Sequence, residues 1–129
     1  MKTLFEHDKA VINYDPSSKS IDLIWKKVQD ETTYKLMYTK GIEFMKVYEV
    51  TNWFSDIRHQ GVVGPSASKW LQDVIIPKAV GAGLKKIAVV MDADVFQKFY
   101  IENINKKSAT QLVRNFKSKE EAKAWLNEN

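Results

Sequence analysis

The sequence predicts an α/β protein with a mixed five-stranded sheet, an N-terminal β-hairpin and four helices, in a single domain spanning residues 1–129. Strand-like and helix-like segments alternate along the chain, which is typical of this class. Hydrophobic residues make up 44% and charged residues 28% of the chain, an ordinary globular composition. The apolar run I-A-V-V-M at 87–91 is expected of a strand covered on both faces in a parallel sheet.

Two β-rich segments, at 10–14 and 20–25, predict the opening hairpin. They are separated by D-P-S-S-K, whose Asp, Pro and Ser residues are typical of a tight turn. From Thr33 to Tyr48, apolar residues recur at positions 34, 37, 38, 41, 45 and 48, a spacing that predicts an amphipathic helix. Residues 50–57 return to the composition of a strand.

A second helical pattern runs from about Ser66 to Val80 and contains a proline. We expect Pro77 to kink this helix, because proline lacks the amide that would bond to Asp73 and its ring crowds that carbonyl. Gly81 or Gly83 then ends the helix with a left-handed cap.

Two capping patterns predict the remaining helices. Asp94 with Gln97 is a capping box for a third helix, and Ser118 with Glu121 is one for the last helix. A short strand, T-Q-L-V-R-N-F at 110–116, lies between them. The apolar residues assigned to these two helices are Val95, Phe96, Phe99, Tyr100, Ala122, Trp125 and Leu126.

The order of elements predicts parallel strands joined by right-handed crossovers, with the first hairpin strand antiparallel at one edge of the sheet. If the strands follow one another in space, every helix lies on one face. The other face would then expose apolar side chains of residues 50–57 and 87–91. We therefore expect a homodimer or another covering partner.

Composition excludes several classes of function. The net charge is +4, but all except two of the 20 basic residues are lysines interspersed with acidic residues, which favours a solvated surface over a nucleic-acid interface. Without cysteine, disulfides and cysteine-based zinc sites are impossible. The chain shows neither a signal-peptide hydrophobic region nor a membrane span, so we expect a cytoplasmic protein.

Charged residues cluster where two predicted strands end. Asp56, Arg58 and His59 come at the carboxyl end of the third strand, and Asp92 and Asp94 at that of the fourth. Ligands of open α/β sheets bind at this edge, so these five side chains are candidates for one binding cleft. The alternative is that Asp56 and Arg58 simply pair with each other or with neighbouring backbone.

The start of the second helix supplies three more candidates, Gly64, Ser66 and Ser68. If Pro65 is the first helical residue, Gly64 is the cap; if Ser66 is the cap, its hydroxyl covers a following amide. Either arrangement gives an amino terminus that favours anions, and either is equally an ordinary helix start.

No catalytic, metal-binding or cofactor-binding constellation is complete. A hydrolase would need Ser55, Ser66 or Ser68 as nucleophile with His59 as base, but no G-x-S-x-G elbow is present. A metal site could use His59 with Asp56, Asp92 or Asp94, but no H-x-x-x-H or D-x-D-x-D-G spacing supports it. G-A-G at 81–83 precedes a strand instead of following one, which excludes a dinucleotide loop. We expect no enzyme activity, no metal and no cofactor.

The segment W-L-Q-D-V-I-I-P-K-A-V-G-A-G-L-K-K-I-A-V-V at 70–90 resembles the bacterial SpoIIAA-like proteins grouped with STAS domains and, by fold, with CRAL-TRIO domains. The terminal S-K-E-E-A-K-A-W-L extends the resemblance over nearly the whole chain. The resemblance implies a four-turn β-α superhelix. It also makes Ser66 the nearest match to the phosphorylated serine of STAS regulators, although their D-S-S-G-like motif is absent here.

Two functions compete on these observations. The first is a non-catalytic regulatory module that binds a protein partner through residues 58–66 and the second helix. The second is a carrier or sensor of a small anionic or lipid-like ligand held near Arg58, His59 and Ser66. An enzyme is a third and weaker hypothesis. The sequence names neither the ligand, the partner nor the pathway.

Overall fold

A computed structural model describes residues 1–95 and 112–128. It confirms the α/β class and a mixed sheet. The six strands are β1 Lys2–Glu6, β2 Ala10–Asp15, β3 Ser20–Trp25, β4 Asn52–Asp56, β5 Lys86–Val90 and β6 Val113–Phe116. The helical elements are α1 Glu31–Val47, α2 Pro65–Trp70, a π-helical segment Leu71–Ile75, α3 Ile76–Gly81 and α4 Lys119–Leu126.

The strands lie in the order of the chain, from β1 at one edge to β6 at the other. Pairing is antiparallel among β1, β2 and β3 and parallel from β3 to β6. The sheet has six strands instead of the predicted five, so the hairpin strand β2 lies one position inside the edge. β1 escaped prediction because it is a five-residue, mostly exposed edge strand whose pairing with β2 shifts register between Thr3 and Phe5.

One side of the sheet, called the first face here, packs against α1. Asp30, which the sequence analysis did not single out, caps this helix, and its side chain accepts a hydrogen bond of 2.8 Å from the Thr33 amide. Buried apolar side chains on α1, including Met37 and Met45, then pack on Ile21 and Leu23 of β3. The helical periodicity therefore identified the buried side of α1 correctly.

Helical backbone continues from Pro65 to Gly81, through the position of Pro77. The Ile76 amide bonds to the Leu71 carbonyl, five residues back, which is π-helical pairing. We attribute this extra residue in the turn to Pro77, which has no amide to continue the α-helical pattern. The helix ends at Gly81, and Gly83, two residues beyond it, has a φ of +106° that allows a Schellman cap.

The opposite side of the sheet, the second face, packs against α4. Ala122 and Leu126 bury Phe54, Ala88 and Val90 there. The prediction that every helix lies on one face is therefore wrong. α4 follows the last strand and does not lead to another parallel strand. The right-handed crossover rule therefore does not determine on which face of the sheet it packs. Because α4 covers these apolar side chains, they are not exposed and no longer support the expectation of a homodimer.

The predicted third helix begins within the described residues, where 93–95 are helical, so Asp94 lies in the helix and not at the predicted cap position; Phe96, Phe99 and Tyr100 lie outside the described residues. The last helix begins as predicted, because the Ser118 hydroxyl accepts a hydrogen bond of 3.2 Å from the Glu121 amide. Within residues 1–95 and 112–128, no helix combines the length and apolar character needed to cross a membrane.

Candidate functional site

The carboxyl ends of β4 and β5 bring three of the predicted site residues together. The Ile57 amide bonds to the Val90 carbonyl at 2.9 Å, which joins the two strand ends. Arg58 donates two hydrogen bonds to Asp56, from Nε to Oδ1 at 2.9 Å and from Nη2 to Oδ2 at 2.6 Å. These bonds, with a smaller contribution from the charge of nearby Asp92, raise the pKa of Arg58. The ion pair considered as an alternative is therefore present.

The other predicted site residues do not join this pair. His59, Asp94 and Ser66 are exposed, and no described hydrogen bond or ion pair links them to Asp56 or Arg58. Gly64 caps α2 and Pro65 is its first residue, so the alternative in which Ser66 is the cap is wrong. Ser68 donates its amide to the Gly64 carbonyl at 3.0 Å, as an ordinary helix start requires. This end of the sheet, which we call the rim, therefore holds one ion pair, Asp56–Arg58. The exposed side chains of His59, Ser66 and Asp94 stand apart from that pair.

A cavity of about 200 Å³, partly open at the surface, lies between the first face and the helices packed on it. Its walls come from α1, from the strands β4 and β5, and from the helical segment around the π-helical turn. We call it the aromatic cavity. The side chains that shape it most are Tyr34, Tyr38, Trp53, Ile75, Ile76 and Leu84.

Three local features produce the aromatic cavity. The π-helical turn rotates the helix so that the consecutive residues Ile75 and Ile76 both line it. The Schellman cap bonds the Leu84 amide to the Ala79 carbonyl at 3.0 Å and places both side chains on the wall. Gly41 leaves the surface of α1 open to the Trp53 ring, which a Cβ atom there would overlap.

One end of the aromatic cavity is polar. Ser55, Gln60, Tyr34 and Trp25 lie close enough to the Tyr38 hydroxyl to act on its pKa, each lowering it against the larger effect of burial. The indole N–H of Trp53 donates to Ser55 Oγ at 2.7 Å, which leaves the serine hydrogen free to donate elsewhere. Burial raises the pKa of Tyr38 and the pKa of Tyr34, so both hydroxyls are neutral donors at any physiological pH.

The described walls of the aromatic cavity are uncharged. None of the described residues that line it carries a formal charge, so no general acid or base with a pKa near neutrality faces it. Ser55 has no histidine beside it among the described lining residues. Within the described part of the chain, no group of three or more His, Asp or Glu side chains is placed to hold a metal ion.

A buried polar cluster occupies the second face. Lys123 of α4 donates to Asp22 at 2.5 Å and to Asp15 at 2.9 Å, and its Nζ lies 4.6 Å from the centre of the Phe54 ring. Ser18 and Ser20 complete what we call the Lys123 cluster, at 3.1 and 3.2 Å from the same nitrogen. The cluster joins α4 to the sheet, and none of its five residues lines the aromatic cavity.

The two aspartates of the Lys123 cluster respond to burial differently. Burial raises the pKa of Asp22, which is fully buried, against the opposing effect of Lys123. For Asp15, burial also acts to raise the pKa, but hydrogen bonds from Lys123 and Ser17 outweigh it and the net pKa lies well below 3.8. Every polar atom of the cluster has a partner, which is the pattern of a structural ion-pair network.

The sequence predicts Tyr34 and Tyr38 on the apolar side of α1 and suggests Ser55 only as a nucleophile. It did not single out Gln60. The available signal was a pair of tyrosines one helical turn apart on an apolar stripe, because buried tyrosine hydroxyls need polar partners. Which partners meet them depends on β4 and on the loop after it, so the stripe by itself did not reveal a cavity.

Comparison with protein-family models, with curated proteins and with solved structures finds no match to this chain. The resemblance to SpoIIAA-like and STAS proteins therefore stays a prediction from the sequence.

Proposed function

We propose that this protein is a non-catalytic binding domain that holds a small, mostly apolar ligand in the aromatic cavity. The observation that carries the proposal is the combination of about 200 Å³ of space, apolar walls and a cluster of neutral hydroxyl and amide groups at one end. Ligand pockets have this composition: hydrophobic and aromatic walls with a few convergent polar groups.

The energetics support binding. Protein interiors are close-packed, and a cavity lowers stability by about 24 cal/mol for each Å³. A ligand that fills the space recovers dispersion contacts with the walls. A larger groove of about 540 Å³ between α1 and α3 is a poorer candidate, because charged Glu43, Lys46 and Lys78 line it at the surface.

This proposal develops the carrier-or-sensor hypothesis but moves the ligand from the rim into the interior. The regulatory role, the cytoplasmic location and the SpoIIAA-like superhelix expected from the resemblance remain proposals beside it.

The test is a ligand-observed NMR titration with p-xylene, an apolar probe of one ring. We expect saturable binding to the wild type. Ala79→Leu adds side-chain atoms to the cavity wall and should weaken binding at least about tenfold, in line with the cost of overfilling a packed site. Val80→Leu, on the neighbouring exposed position, is the matched control and should bind like the wild type. No binding to the wild type, or equal binding to Ala79→Leu, contradicts the proposal.

A second candidate function, self-association, is favoured by an exposed apolar pair at the rim. Val62 is 93% and Val28 64% exposed, and the two loops meet where Gly61 packs against Val28. Sedimentation equilibrium should show a dimer that Val62→Asp converts to a monomer. Val47→Asp, an equally apolar exposed site on α1, should leave the dimer intact. A wild type that stays monomeric at all concentrations rejects this candidate.

A further inference from the structure

We infer that the ligand of the aromatic cavity is a neutral molecule of about one ring with a single hydroxyl or carbonyl group, and that ionised carboxylates and phosphates are rejected. This inference rests on the proposed function and narrows it. It replaces the anionic ligand expected from the sequence, and it follows from the charge, the size and the polar end of the cavity.

The charge of the walls is the first argument. None of the described lining residues is charged, so an anion bound there would lose its hydration without gaining a counter-ion from them. Arg58, the cation close in sequence to Ser55 and Gln60, is engaged by Asp56. Asp56 alternates with Ser55 along β4 and therefore lies on the second face, away from the cavity.

The size and shape of the cavity are the second argument. An apolar protein cavity of about 150 Å³ holds one benzene molecule. At about 200 Å³ the aromatic cavity has room for one ring and a few further atoms. Tyr38 and Trp53, which both line the cavity, stack with ring centres 5.8 Å apart and planes inclined by 16°, so part of the wall is aromatic and able to contact a ring.

The polar end is the third argument. Hydroxyl groups of Tyr38 and Ser55 and the amide of Gln60 each can donate and accept hydrogen bonds. Ser55 already accepts from Trp53, so its own hydrogen is directed to a further acceptor. A ligand hydroxyl or carbonyl satisfies such groups without bringing a charge into the interior.

The experiment compares three probes of matched shape: p-xylene, 4-methylbenzyl alcohol and 4-methylbenzoate. At pH 7 we expect the alcohol to bind more tightly than p-xylene. The carboxylate should bind at least about 100-fold more weakly than the alcohol, because its charge has no partner in the cavity. As the pH falls towards the acid's own pKa of about 4, its neutral form should regain affinity.

Two variants distinguish the contribution of the polar end to ligand affinity from that of the apolar walls. Ser55→Ala should lower the affinity for the alcohol about tenfold relative to that for p-xylene, because the hydrogen bond to the ligand is lost, whereas the Trp53 indole N–H left without its acceptor affects both probes alike. Tyr38→Phe should act in the same direction. Urea denaturation of each variant checks folding, and either variant alone suffices if the other unfolds.

The outcomes distinguish this inference from the proposed function. Equal binding of the alcohol and the carboxylate at pH 7 overturns the neutral-ligand inference while leaving the binding function intact. An alcohol that binds no better than p-xylene overturns the role of the polar end. If none of the three probes binds, the proposed function itself fails.

Discussion

The two faces of the sheet are buried by different chemistry. On the first face, α1 and the helical segment 65–81 cover β4 and β5 with aromatic and branched side chains, and they leave a cavity. On the second face, α4 covers the same strands and is joined to β2 and β3 by the Lys123 cluster. The comparison indicates that the space for a ligand and the strongest specific interactions are on opposite sides of one sheet.

This separation has a physical reason. The Lys123 cluster tolerates little movement, because a displaced Lys123 would leave the fully buried Asp22 without its counter-ion. Apolar contacts on the first face are non-directional, so side chains such as Ile75 can adjust to a ligand at smaller cost. A binding face can therefore change its packing while the opposite face keeps the sheet in place.

The largest effect should come from breaking the Lys123 cluster. Lys123→Met removes the partner of Asp15 and Asp22, and the loss of one member of a buried ion pair costs about 3–5 kcal/mol in the free energy of unfolding. Urea denaturation measures it. Lys119→Met, an exposed lysine on the same helix, should change stability by less than about 0.5 kcal/mol. Equal losses of stability in Lys123→Met and Lys119→Met would show that the Lys123 cluster does not stabilise the second face.

A steric change on the first face should follow in size. Gly41→Ala places a methyl group inside the Trp53 ring and should cost about 3 kcal/mol, the upper range for overpacking a core. Gly81→Ala meets no atom within 4 Å, and in a helix it should instead stabilise the protein by about 0.5–1 kcal/mol. Thermal or urea unfolding should therefore show a lower free energy of unfolding for Gly41→Ala and a higher one for Gly81→Ala. A neutral Gly41→Ala would show that this face adapts even to backbone crowding.

The acid stability of the protein should depend on the second face. The folded-state pKa of Asp15 is lowered below its ordinary value of 3.8, so its ionised form stabilises the fold above pH 3.8, and this contribution is lost as the pH falls further. Asp15→Asn should lose about 2 kcal/mol at neutral pH, the worth of a charged hydrogen bond. Below pH 3.8 its difference from the wild type should shrink.

Urea denaturation between pH 7 and pH 3 measures this convergence. Asp73→Asn, an exposed position on the helical segment that covers the first face, serves as the control and should run parallel to the wild type. If Asp15→Asn also runs parallel, the carboxylate of Asp15 does not carry the acid dependence.

The smallest effect concerns how α4 begins. Ser118→Ala removes the hydroxyl that accepts from the Glu121 amide and should cost about 1 kcal/mol. Ser118→Asp keeps an acceptor there and should remain within about 0.5 kcal/mol of the wild type. Amide hydrogen exchange within α4 should rise in Ser118→Ala and not in Ser118→Asp, whereas exchange in α1 should stay constant. A loss spread equally over both helices would mean that the faces are not independent.

Local patterns predicted much of the fold. The turn at 15–19, the apolar spacing of α1 and the cap at Ser118 act over a few residues, so the sequence displays them directly. The edge strand β1 was missed because its pairing, not its composition, makes it a strand. For the π-helical turn the sequence predicted only a kink. Pro77 indicates that one α-helical hydrogen bond is lost, but it does not indicate that the backbone adds a residue to the preceding turn.

The candidate site was harder to predict than the fold. The Asp56–Arg58 pair lies within two residues and was foreseen as an alternative. The aromatic cavity unites side chains of α1, β4 and the helical segment that share no sequence pattern. Lys123 and Asp22 are 101 residues apart, and one sequence contains no signal that couples such distant positions.

That separation has a consequence for how the chain folds. Because neighbours in the sheet are also neighbours along the chain, strands can pair one after another, and the longest connection between two of them has 29 residues, 57–85. The bond from Lys123 to Asp15, by contrast, closes a loop of 108 residues, and its entropic cost is repaid only once the strands between them are ordered. We expect this bond to form after the rate-limiting step, so that it prolongs the lifetime of the native state without accelerating its formation.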